Sequence, residues 1–172
     1  MRKTHFLILI AVTLLFVFSS CATTNSDGSP KWTTHVPQSW RTYYATGYGK
    51  LSNVNTSRIR AESAAIDDIA RWASVTVHTA VTNYTNDVGF EHTEVLEVFS
   101  HQVVDISLRG VVIEKSYIDK DGGVWVLASF STKHLKEAYK EQVKKLEQQQ
   151  NITQAEKMIH YLEVLLDKEA FQ

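Results

Sequence analysis

The fold of this chain is decided by twenty residues, Val111-Val-Ile-Glu-Lys-Ser-Tyr-Ile-Asp-Lys-Asp-Gly-Gly-Val-Trp-Val-Leu-Ala-Ser-Phe130. β-Branched and aromatic residues dominate positions 111–118 and 124–130, a composition typical of strands. Positions 119–123 between them carry the aspartates and glycines of a short turn. The stretch therefore predicts an antiparallel β-hairpin.

Upstream of the hairpin, the sequence predicts one more strand and then a helix. Residues 43–51 are rich in aromatic residues and include Gly47 and Gly49, which permit close approach of another element. Between residues 58 and 73 apolar residues, many of them alanines, recur at helical spacing. One face of this helix can therefore pack closely on a sheet. Candidates for its N-cap are Asn53, Asn55, Thr56 and Ser57.

The next segment, residues 74–84, fits two structures. Some of its apolar residues alternate as in a strand, while others keep the spacing of a helix. We predict that the helix continues to about Tyr84, because no turn residue interrupts the run. Turn-forming residues then mark a break, at Asn83, Asn86, Asp87 and Gly89.

A second helix is predicted from about Thr93 to Arg109. Its apolar residues form one stripe, and Gly110 follows where a C-terminal cap belongs. The members of this stripe are Val95, Leu96, Phe99, Val103 and Ile106.

After the β-hairpin, residues 132–172 predict two amphipathic helices. Apolar residues recur at helical spacing from Leu135 to Leu146 and again from Met158 to Leu166. Thr153-Gln-Ala-Glu156 has the spacing of a capping box, so the second helix begins there. The fold class expected is α+β, a small antiparallel sheet packed by helices, with a C-terminal amphipathic helical hairpin.

The N-terminus has the layout of a lipoprotein signal. Arg2 and Lys3 precede an apolar run over residues 6–18, which ends close to Cys21, the only cysteine. The run is 13 residues long, whereas a helix that spans a bilayer needs about 20. We therefore predict a signal peptide over residues 1–20 and lipidation of Cys21. Several acyl chains would then hold the protein at the membrane.

The residues after Cys21 indicate the membrane in which the protein is anchored. In the diderm bacterial lipoproteins that this N-terminus resembles, Ala22 in place of aspartate implies export to the outer membrane. The polar residues that follow read as a flexible tether. The expected organisation is a signal peptide at 1–20, a lipidated tether at 21–36, an α+β domain at 37–131 and a helical hairpin at 132–172.

Composition limits the partners of the mature chain. Removal of residues 1–20 from the 172 leaves 152 residues with 16 of the 18 basic residues against 19 acidic ones, a formal charge of −3. Without a basic patch the chain is not expected to bind nucleic acid. With one cysteine it has no disulfide, so its fold must rest on packing.

Three groups of residues resemble functional sites, and each has a simpler explanation. Gly47-Tyr-Gly49 lacks the third glycine of a dinucleotide loop, since Ser52 stands in its place. Asp119 and Asp121 resemble the start of a calcium loop, but Phe130 occupies the twelfth position and cannot coordinate. Glu94, Glu97 and His101, with His92 nearby, lie on one side of the second helix, where a solvated polar face is the simpler explanation. We therefore expect no cofactor, no metal and no catalytic residues, hence no enzyme.

The order of these features resembles the Lpp-twenty lipoprotein family. The resemblance covers roughly residues 42–131 and rests on Tyr44-Ala-Thr-Gly-Tyr-Gly49, the alanine-rich Arg60-Ala-Glu-Ser-Ala-Ala-Ile-Asp-Asp-Ile-Ala70, Leu108-Arg-Gly-Val-Val-Ile-Glu114 and Asp121-Gly-Gly-Val-Trp-Val-Leu-Ala-Ser129. It implies a small α+β domain in the cell envelope, without defined catalytic residues. Similar domains occur in flagellum-associated envelope proteins.

Together these observations predict an outer-membrane lipoprotein that acts as a structural, assembly or interaction module. Its expected partners are the membrane, bound through the N-terminal lipid, and further copies of itself or other envelope or flagellar proteins. The alternative is a lipoprotein that holds a small apolar ligand between helix and sheet. Residues proposed to line such a cavity are Phe99, Tyr117, Trp125 and Phe130.

Overall fold

A computed structural model describes residues 24–89, 94–150 and 155–169. It confirms the α+β class, with three antiparallel strands and four helices. The elements, in chain order, are β1 (Thr42–Gly49), α1 (Val54–Val88), α2 (Glu94–Ser107), β2 (Val111–Ile118), β3 (Val124–Ser131), α3 (Thr132–Gln150) and α4 (Ala155–Glu169).

The chain divides into two units, of which the first ends at Lys31. In its described part, residues 24–31, an isolated bridge pairs Thr24 with Pro30. The Asp27 carboxylate accepts hydrogen bonds from the backbone N–H of Ser29 (2.9 Å) and from its hydroxyl (2.7 Å). The second unit, from Trp32 onward, contains all the strands and α-helices named above.

The predicted hairpin is confirmed as β2 and β3. The strand order is β1-β3-β2, so β3 is central and pairs antiparallel with both neighbours. Gly122, with φ of 79°, supplies the left-handed backbone that the connecting turn requires. The register between β2 and β3 shifts at Glu114, where β2 has a bulge.

The first half of α1 packs on the sheet through residues at a spacing of four, of which all but Ile69 are small. These are Ser57, Ala61, Ala65, Ile69 and Ala73, all without solvent exposure. The two glycines of β1 allow the helix to touch the strand backbone to backbone. A Cβ atom on Gly47 would overlap the carbonyl oxygen of Ala61, and one on Gly49 would overlap that of Ser57. The prediction that these glycines serve close packing is confirmed.

α1 is longer than expected, and the ambiguous residues 74–84 are helical as predicted. The helix begins after Asn53, whose side-chain oxygen accepts the Thr56 N–H at 2.9 Å. It ends at Gly89, where a left-handed backbone (φ 65°) lets the Gly89 N–H reach the carbonyl of Thr85. Asn83, Asn86 and Asp87 lie within the last turns rather than in a break.

The predicted role of Gly110 as a helix cap is wrong. α2 ends at Ser107, and residues 108–110 form a 3₁₀ turn in which the Val111 N–H donates to the carbonyl of Leu108. Gly110 does not have a positive φ. An added Cβ would lie 2.8 Å from the ring of His134, an exposed side chain on α3.

The second half of α1 packs against the other helices, and α3 and α4 form the expected helical hairpin. Phe99 of α2 meets Tyr139 of α3 edge to face at 5.1 Å between ring centroids. Glu163 of α4 pairs with Lys136 and Lys140 of α3 at 2.6 and 3.0 Å. The hairpin shares one hydrophobic core with α1 and the sheet. Thr153 of the predicted capping box lies outside the described residues.

Candidate functional site

The two faces of the sheet have different neighbours. On β3, residues with even numbers are fully buried against α1, and the glycines of β1 lie on the same side. We call this side the inner face. Because side chains alternate along a strand, residues of odd number on β3 and their cross-strand partners lie on the opposite side. This outer face contains Tyr44, Thr46, Tyr48, Val112, Lys115, Tyr117, Trp125, Leu127 and Ser129.

α1 covers the inner face at β1 and β3, whereas Ile113 and Ile118 on the inner side of β2 stay 39% and 46% exposed. The other described helices pack mainly on α1 and on one another, and none packs on the outer face. Leu127 and Ser129, at the centre, are buried, while the aromatic residues around them are partly exposed. Tyr48 is 39% exposed and Val112 is 54% exposed. An aromatic surface rimmed by polar groups is typical of protein interaction sites.

A hydrogen-bonded turn fixes one end of the outer face. The rings of Tyr48 and Trp125 lie 4.7 Å apart between centroids, tilted by 42°. The Tyr48 hydroxyl donates to Asp119 at 3.1 Å, while the other oxygen of that carboxylate accepts the backbone N–H groups of Asp121 (2.9 Å) and Gly123 (2.7 Å). The aromatic pair is thereby tied to the β-hairpin.

These contacts shift two pKa values. Removal from solvent alone would raise the pKa of Asp119, but hydrogen bonds from Gly123, Asp121 and Tyr48 outweigh it and hold the pKa below its ordinary value. Removal from solvent, together with the hydrogen bond to the Asp119 carboxylate, raises the pKa of the Tyr48 hydroxyl. The Asp119 carboxylate is thus occupied as an acceptor within the turn, which agrees with a turn rather than a calcium loop.

The polar residues singled out on α2 do not form a site with one another. Glu97 and His101 are exposed, and of the three only Glu94 borders a groove between α2 and α3, whose lining also includes Lys145 and both apolar and amide side chains. Within the three described ranges, no three His, Cys, Asp or Glu side chains are close enough to hold a metal ion. His92 lies outside those ranges.

The four aromatic residues proposed to line a ligand cavity are not brought together. Phe130 is on the inner face and contacts Trp72 of α1, whereas Tyr117 and Trp125 are cross-strand partners on the outer face. Phe99 lies in the helical layer against Tyr139. No single cavity between helix and sheet can be lined by all four.

Cys21 and the apolar run before it lie outside the described residues, so their roles stay predictions. Of the helices that the structure describes, none is long and apolar enough to cross a membrane.

Comparisons with known proteins give no relative: no family model, no curated protein and no solved structure matches this chain. The resemblance to the Lpp-twenty lipoproteins therefore stays a prediction.

Sequence reasoning missed the outer face as a site. Its residues come from three strands, and their neighbourhood depends on the register, which places Tyr48 beside Trp125 and Tyr117 on the other side of the same tryptophan. The signal that was available is the alternation along β3, where Trp125, Leu127 and Ser129 share one side.

Proposed function

We propose that this chain is a lipid-anchored envelope lipoprotein, held at the outer membrane through Cys21, whose folded part is an interaction module without catalysis. The observation that carries the proposal is the outer face of the sheet. It is aromatic and partly exposed, and no helix of the described residues covers it. Exposed aromatic and apolar side chains rimmed by polar groups are typical of interaction sites.

The shape of the surface favours a protein partner over a small ligand. The outer face is an open sheet surface built from three strands, whereas small-molecule sites are concave and enclose most of the ligand. Aromatic residues are enriched at the energetic centres of protein interfaces, and Trp125 lies at the middle strand.

The predicted lipid anchor and the predicted tether are compatible with an interaction role. A lipid at Cys21 would concentrate the module at one membrane, and binding of a membrane-bound partner then gains from a high effective concentration. The resemblance to the Lpp-twenty lipoproteins, and through it to flagellum-associated envelope proteins, supports the same proposal.

The anchor is tested by growing cells with labelled palmitate. We expect label in the full-length protein and its loss in Cys21→Ala, with accumulation of the precursor when lipoprotein signal peptidase is inhibited. A full-length protein that carries no label would contradict the anchored form.

The interaction is tested by chemical cross-linking in cells, purification of the full-length chain and identification of cross-linked neighbours. The variant Val112→Asp places a charge on the outer face, and Val75→Asp makes the same change on α1, where Val75 is 62% exposed. We expect an envelope protein that is recovered with the wild type and Val75→Asp and lost with Val112→Asp. Equal recovery with both variants, or no neighbour at all, would contradict the role of this face.

A further inference from the structure

The two edges of the sheet are not equivalent. β1 pairs with β3 without interruption over all eight residues from Thr42 to Gly49. β2, at the other edge, is broken by the bulge at Glu114, and Arg58 of α1 donates a hydrogen bond to its Ser116 at 3.0 Å. Bulges protect an edge from pairing with a further strand, and β1 has none.

The hydrogen-bonding direction of β1 follows from a bond at its start. The Thr132 N–H donates to the carbonyl of Arg41 at 3.0 Å, so these two residues form a hydrogen-bonded pair. Such pairs alternate along an antiparallel ladder. The backbone groups of odd-numbered residues in β1 therefore point to β3. The N–H and C=O groups that point away from the sheet belong to Thr42, Tyr44, Thr46 and Tyr48.

These outward groups have no backbone partner among the described residues on their free side. A groove of about 600 Å³ lies along the same edge. Its lining is formed by residues 36–40, by β1 from Thr42 to Thr46 and by Asp68 of α1. Residues 36–40 are all exposed, so the groove is open to solvent.

Asp68 is the only charged side chain among the residues that line the groove. Its carboxylate lies 3.7 Å from Arg71, a pair in which the two side chains are 44% and 75% exposed. An exposed pair of this kind contributes little, so Arg71 does not compete strongly with a cation in the groove. A basic side chain on an incoming strand would complement Asp68.

We propose that the free edge of β1 binds an extended segment of a partner protein, bearing lysine or arginine, as a fourth strand of the sheet. The proposal rests on the interaction role proposed above and names how the partner is held. Strand addition of this type takes its affinity from main-chain hydrogen bonds and its specificity from alternate side chains. One set of side chains would lie beside Tyr44 and Thr46 on the outer face, and the other would face Asp68.

A second copy of this chain fits the edge less well. β1 contains no lysine or arginine from Thr42 to Gly49, so β1 of another copy would place no cation within the strand opposite Asp68. Charge complementarity therefore favours a different protein, and self-association is an outcome that the test distinguishes.

The test uses the full-length lipoprotein in detergent micelles and an eight-residue peptide of alternating valine and lysine. Amide hydrogen exchange is followed by NMR. We expect exchange at Tyr44 and Thr46 to slow about tenfold on peptide binding, because their N–H groups become hydrogen-bonded. Exchange at Ser116 and Ile118, on the other edge, should not change.

Reversing the charge of Asp68 tests the proposed charge complementarity without changing any residue of the strands. We expect the wild type to prefer the lysine peptide over a valine–glutamate peptide by about three- to fivefold, and Asp68→Lys to reverse that preference. Asp68 lies on the surface of α1, so this variant should keep the thermal midpoint of the wild type within a few degrees.

Three results would overturn the proposal. They are unchanged exchange at Tyr44 and Thr46 at saturating peptide, equal slowing at both edges, and slowing that depends on protein concentration without peptide, which would indicate a second copy. Recovery of a cross-linked neighbour that is sensitive to Val112→Asp tests the interaction role separately, since it does not require the edge of β1. If exchange at β1 does not slow but the cross-linked neighbour is still recovered, only the strand addition is refuted.

Discussion

On its inner face the sheet presents glycine, alanine and valine to α1, together with Tyr43 and Phe130 against Trp72, whereas its outer face presents tyrosine, tryptophan and threonine with no described helix over them. The inner face uses small residues because α1 touches β1 backbone to backbone at Gly47 and Gly49. At that contact no large side chain would fit, while the outer face carries large residues on all three strands. The difference supports the proposal that the two sides of the same three strands have different roles, packing on the inner face and interaction on the outer face.

The largest effect is expected at the closest contact of the inner face. In Gly47→Ala the new methyl would overlap the Ala61 carbonyl and lie 2.7 Å from the Ala65 backbone nitrogen, so α1 must move as a whole. We expect a loss of at least about 3 kcal/mol in the free energy of unfolding, measured by urea denaturation. Thr46→Ala, one residue away on the outer face, is the control and should cost less than about 1 kcal/mol. Similar losses of stability in both variants would contradict the claim that the inner face contributes more to the stability of the fold than the outer face.

A smaller effect on the free energy of unfolding is expected when two tryptophans, Trp72 and Trp125, are compared. Trp72 of α1 stacks on Tyr43 with centroids 4.7 Å apart and meets Phe130 edge to face, so it packs against the core. We expect Trp72→Ala to lower the free energy of unfolding by about 3 kcal/mol. Both tryptophans are partly exposed, but Trp125 makes its ring contact with Tyr48 on the outer face rather than with a core residue, so Trp125→Ala should cost about 1 kcal/mol. If the outer tryptophan proved the more costly one, the outer face would be structural.

The smallest effect concerns the turn that holds Tyr48. Because the folded state holds the pKa of Asp119 below its ordinary value, ionised Asp119 stabilises the fold above that value, and this stabilisation is lost as the pH falls through the lowered pKa. The ordinary pKa is about 3.9, so the loss lies below about pH 4. We expect Asp119→Asn to be less stable than the wild type at pH 6 by urea midpoint, and the difference to shrink at pH 3. A constant difference at both pH values would show that the charge of Asp119 plays no part.

Local patterns predicted much of the fold. The hairpin was readable because strand composition and turn residues are adjacent in the chain, and the helical state of residues 74–84 followed from the absence of a turn residue. The predicted cap at Gly110 failed because α2 ends earlier, at Ser107, and the neighbour of Gly110 is His134, which is distant in sequence and approaches only in the folded chain. Local sequence carries no signal for such a contact.

The candidate site was less accessible to sequence reasoning than the fold. One side of β3 is wholly apolar, but the other side also begins with two apolar residues, Trp125 and Leu127, before Ser129 and Ser131, so the sequence alone does not decide which side is covered. That assignment needs the position of α1, which is fixed by the glycines of β1. Likewise the free backbone groups of Tyr44 and Thr46 follow from strand order, and the order β1-β3-β2 places the first strand at an edge.

The most direct test of the central claim places a photo-reactive amino acid in the full-length chain in living cells. Two positions probe the outer face, Thr46 and Val112, and two exposed positions probe α1, Ile59 and Val75. The outer face is predicted to give a discrete cross-linked product with an envelope protein, and the α1 positions are predicted to give none. Products of equal strength from α1, or none from the outer face, would contradict the account.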